Sequence, residues 1–81
     1  MKTKPYETPD LYFAALLKTA KVPMKAPRWL DERKTRCHFV FEDEGNGVIE
    51  RLHLEWVNDD AKVQARSYSD NVKALKQLCH F

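Results

Sequence analysis

Glycine is nearly absent from this sequence. Gly45 and Gly47 are the only two in 81 residues. The Gly45-Asn46-Gly47 stretch has neither the length nor the lysine of a phosphate-cradling loop, so that class of nucleotide site is excluded. Cysteine is as scarce, with Cys37 and Cys79 able to form at most one disulfide. A secreted scaffold of this size would need more, so a reducing cytoplasm is the expected compartment. No long apolar run occurs. The longest, Leu11 to Leu17, is far too short to span a bilayer, so no membrane partner is expected. The first residues, Met1 to Pro5, lack the apolar stretch of a signal peptide.

What remains has ordinary globular composition, 43% hydrophobic and 32% charged. A chain this short makes one domain, with a stability of about 4–12 kcal/mol and no room for a deep cavity beside its core. The expected division is an N-terminal arm over 1–7 and a single α+β domain over 8–81. Charge falls in blocks. Residues 1–36 carry nine Lys/Arg against four acids, a net of +5. Residues 37–60 carry Arg51 against seven acids, a net of −6, and residues 61–81 return to +3. Such blocks either attract one another in the fold or form two faces of opposite sign.

Thr8, Pro9 and Asp10 read as an N-cap, a first helical position and a dipole partner. Leu11, Tyr12, Ala15, Leu16 and Ala20 follow near one face, widened by Phe13 and Leu17. Lys18 and Lys21 suit the last turn, and Pro23 forces an end near Lys21. Pro23 and Pro27 then exclude a helix or central strand, which leaves an extended edge running into a charged turn. From Arg36 to Glu42, Cys37, Phe39 and Phe41 alternate with His38, Val40 and Glu42, which predicts a strand. Residues 43–58 fit two patterns. Asp43 to Gly47 resembles a hairpin turn followed by Leu52, Leu54 and Trp56 at strand alternation. Val48, Ile49, Leu52 and Trp56 equally fit a helix. The last helix is expected from about Ala65 to Cys79, on Tyr68, Val72, Leu75 and Cys79.

Thr8-Pro9-Asp10-Leu11-Tyr12-Phe13-Ala14-Ala15, Phe39-Val40-Phe41-Glu42-Asp43, Ala61 to Tyr68, and Leu75-Lys76 together resemble a family of small bacterial and phage proteins catalogued as a domain of unknown function. The resemblance implies an N-terminal helix, a β-hairpin, then two helices packed on the sheet. It tips residues 44–57 toward helix with Asp43 as N-cap, and makes a mobile-element origin reasonable. It implies no activity. Between Val22 and Arg36 the prolines and Trp29 depart from the pattern.

Cys37, His38, His53, Cys79 and His80 are metal-ligand types, but they lack the paired spacing of a zinc site, so no metal or cofactor is expected. Adjacent Cys37 and His38 would point to opposite sides of a strand. An enzyme using them would need an accessible, low-pKa thiol, and no catalytic residue is expected. The chemistry-bearing surface is the basic segment Lys21 to Arg36. Lys25, Arg28, Arg33, Lys34 and Arg36 could grip phosphates while Trp29 stacks on a base, which points to a nucleic acid or nucleoprotein partner. The blander reading packs Trp29 on the core and uses the cations to protect a sheet edge. The alternative function is a protein–protein adaptor or inhibitor, monomeric or homodimeric, acting through a helix face or sheet edge.

Overall fold

The computed structural model describes residues 4–30 and 37–79. In chain order the elements are β1 (Lys4–Thr8), α1 (Leu11–Thr19), β2 (Arg28–Trp29), β3 (Cys37–Asp43), α2 (Val48–Val57) and α3 (Ala65–Cys79). They make a small α+β domain with one antiparallel sheet ordered β1-β3-β2 and three helices. Among the described residues no helix is long and apolar enough to cross a membrane.

The alternation of β3 divides the sheet into two faces. Cys37, Phe39 and Phe41 point inward and join Phe13 to Leu17 of α1, Ile49 and Leu52 of α2, and Leu75 of α3 in one buried cluster. Five consecutive buried residues make α1 the central helix of that layer. The other sheet face, with Glu7, Arg28, His38, Val40 and Glu42, contributes no side chain to that cluster.

Several sequence expectations change here. The described part of the 1–7 arm is a strand, because Lys4 to Thr8 pair with Asp43 to Phe39 along their whole length. That ladder holds Thr8 in the sheet, so helix entry moves on. Asp10 is the N-cap of α1, its carboxylate accepting from the backbone N–H groups of Tyr12 at 2.9 Å and Phe13 at 3.2 Å. Tyr12, expected on the buried stripe, is 50% exposed.

The helix closes with the paired bonds of a Schellman motif. The Val22 N–H donates to Leu17 O, the Lys21 N–H to Lys18 O, and Lys21 holds φ +65°, a conformation usually given to glycine. The end of α2 repeats the motif with Asp59 at φ +58°. Residues 43–47 turn the chain from β3 into α2. Asp43 belongs to the strand and accepts from the Gly45 N–H instead of capping α2, whose N-cap is Gly47 at φ +78°.

A one-residue step in register shapes the proline-rich edge. Met24 bridges Phe41, whereas Arg28 faces His38 and Trp29 faces Cys37. Four residues on this edge thus span three on β3, which is the count of a β-bulge, and Pro27 lies inside it. The extra residue turns Arg28 to the outer face and Trp29 to the inner one.

Candidate functional site

The outer sheet face collects the described polar residues of the basic edge. Arg28 forms a fork on Glu7, with Nε at 2.9 Å from Oε1 and Nη2 at 2.8 Å from Oε2. His38 Nδ1 lies 3.1 Å from the same Oε2 and 3.4 Å from Arg28 Nη2. Bidentate geometry is the strong form of this contact. Hydrogen bonds from Arg28 first, and His38 second, hold the Glu7 carboxyl below the usual glutamate range. The same hydrogen bonds push the Arg28 guanidinium up. Lys25 Nζ lies 3.8 Å from Glu42 Oε1.

The sequence-derived site is therefore only partly assembled. Lys25 and Arg28 share the outer face, each with a carboxylate partner. Trp29 is half-buried and packed against the core cluster. Arg33, Lys34 and Arg36 lie outside the described residues. An aromatic ring facing inward cannot stack on a base lying across Arg28, which separates two groups that the sequence placed side by side.

Because the folded Glu7 pKa is depressed, deprotonated Glu7 favours the folded state above its unfolded pKa. That contribution disappears as pH falls through the folded value. Carboxyl ¹³C titration is expected to find Glu7 below ordinary glutamates, and Arg28→Ala is expected to raise it toward them. An unchanged Glu7 midpoint in the variant would mean the fork does not form in solution.

Cys37 and His38 do point to opposite sides of β3. Cys37 is buried at 4% exposure and disulfide-bonded, so it presents no free thiol for nucleophilic chemistry in this state. Among the described residues no three His, Cys, Asp or Glu side chains group so as to hold a metal ion.

A candidate contact surface that sequence reasoning missed is on α2. Ile49 and Leu52 face the core, while Leu54 and Val57 are 62% and 65% exposed, three residues apart on the outward side. An open groove of about 400 Å³ runs beside Leu54, with Tyr6, Ile49 and Leu54 as apolar lining and Asp43, Glu50 and His53 around it. His53 meets Phe13 edge-on at 5.5 Å, anchoring that side of the groove to the core. The signal was present in the sequence. Once residues 48–57 are read as a helix, Leu54 and Val57 fall off the stripe of Val48, Ile49, Leu52 and Trp56.

Comparison with protein families, with curated proteins and with solved structures finds no match to this chain.

Proposed function

We propose that the protein is a non-enzymatic binding module that docks a basic, amphipathic segment of a partner protein against α2. The observation that carries this reading is the exposure of Leu54 and Val57 on one side of a helix otherwise anchored by Ile49 and Leu52. Single exposed apolar residues are ordinary, but two neighbours on one helix face, one of them, Leu54, lining a groove, form a contact surface. Full burial of a leucine or valine contributes about 1.5–3 kcal/mol, which makes these two the apolar anchors of such a contact. The partner's charge follows from the setting. Asp43 and Glu50 flank the groove, in the chain segment of net charge −6. An acidic rim around apolar lining favours lysine or arginine beside apolar anchors. Lys25 and Arg28, by contrast, already have carboxylate partners, which weakens the field that the basic edge offers a polyanion.

The test is a fluorescence titration in a Trp29→Phe background, where Trp56 on α2 is the reporter. A short helical peptide carrying lysines and leucines is compared with its glutamate counterpart and with a single-stranded oligonucleotide. Saturable binding of the basic peptide is expected, weakened by about tenfold or more in Leu54→Asp, as befits an anchor residue. Both helical positions are exposed, so the fold should persist. A flat response to the peptide with saturation by the oligonucleotide would overturn the reading in favour of nucleic acid.

A further inference from the structure

A second surface differs from α2 in charge and position. A cleft of about 350 Å³ lies between the end of α1 and the start of α3, floored by Leu52 and lined by Lys21, Lys62, Gln64 and Ser67. An adjoining cleft shares Thr19, Lys21 and Ser67 with it and adds Lys18 and Asp70. We propose that this double cleft binds a phosphate-bearing anion through Lys18, Lys21 and Lys62.

Among the described residues, the ion pairs engage Lys25, Arg28, His38 and Arg51, and none engages these three lysines. Their charge is therefore open to a ligand, with Asp70 the one carboxylate among the described residues that line the clefts. Helix dipoles account for Lys18 and Lys21 at the end of α1, but not for Lys62. It precedes α3, whose first turn holds no acid and whose dipole disfavours a cation there. A bound anion would relieve that cost. Hydroxyl and amide groups complete the lining. Ser67 Oγ donates to Gln64 Oε1 over a long 3.4 Å, and Asn71 Nδ2 donates to Thr19 Oγ1 at 3.0 Å. Lys21 lines both clefts, Lys18 one and Lys62 the other, and a phosphate, with more oxygens than a carboxylate, has one for each ammonium.

Lys21 permits a clean test. Its φ of +65° suits glycine better than lysine, so Lys21→Gly removes the ammonium while keeping the backbone conformation. Amide ¹H–¹⁵N spectra are recorded during titration with inorganic phosphate, with pyrophosphate and with a single-stranded oligonucleotide, at constant ionic strength. Saturating shifts are expected at Thr19, Lys21, Lys62 and Ser67. Affinity should fall about tenfold in Lys21→Gly, the size of one lost charge-assisted hydrogen bond, and further when Lys62→Ala is added. Lys73→Ala, outside the clefts, should bind as the parent does. If the oligonucleotide binds tighter than pyrophosphate at the same residues, the source of the phosphate is a nucleic-acid backbone. If it binds more weakly, the source is a small phosphate compound. Shifts spread evenly over all lysines, or affinity unchanged in the double variant, would overturn the site.

Discussion

Phe41→Ala is expected to remove about 3–5 kcal/mol of folding stability, among the largest single-residue losses in this domain. Phe41 is fully buried in the central strand. It faces Tyr6 on β1 and bridges Met24 on the proline-rich edge. Its ring thus lies where β1, β3 and the Met24 bridge meet the helical layer. Removing a buried phenylalanine side chain costs about 3–5 kcal/mol, partly in lost transfer energy and partly in the cavity left behind. A domain of this length has about 4–12 kcal/mol in total, so the loss is a large share of the reserve. Urea unfolding followed by far-ultraviolet circular dichroism measures it. The midpoint should fall steeply or leave the accessible range. A loss below about 1 kcal/mol would mean the site collapses around the cavity, against the full burial of Phe41 in the core.

The second large effect concerns Cys37. Opening its disulfide is expected to cost about 2–4 kcal/mol, the usual contribution of such a crosslink. In a domain of this size that corresponds to a drop in Tm of roughly 10–25 °C. Thermal melts with and without reductant, on the parent and on Cys37→Ala, separate the crosslink from packing. The parent should lose stability when reduced. Cys37→Ala should start lower and be indifferent to reductant. A parent Tm unaffected by reductant would show that the bond adds nothing to the folded state.

The α2 reading and the phosphate cleft stand on separate residues, so the failure of either leaves the other intact. Leu54 and Val57 lie outside the clefts, and Lys18, Lys21 and Lys62 lie outside the α2 groove. Both depart from the nucleic-acid edge centred on Trp29, for reasons that appear only when the strands pair. Within that edge the sequence placed Arg28 beside Trp29 without showing which would face the core.

The sequence by itself determined the α+β class, the strand of Cys37, Phe39 and Phe41, and the span of the last helix. Each rests on a local period of apolar residues, and a local period survives whatever the rest of the chain does. Helix entry at α1 was misplaced by two residues because Thr8 and Asp10 are both good caps. Only the pairing of β1 with β3 decided between them. Tertiary structure alone also decided three further points: the Arg28–Glu7–His38 cluster, the bulge that turns Trp29 inward, and the state of Cys37. Glu7 and His38 are separated by 31 positions, and no pattern within a ten-residue window encodes their meeting. Between Val22 and Leu30 two prolines break any period, so side-chain direction there is set by the hydrogen-bond register with β3 and not by the residues themselves.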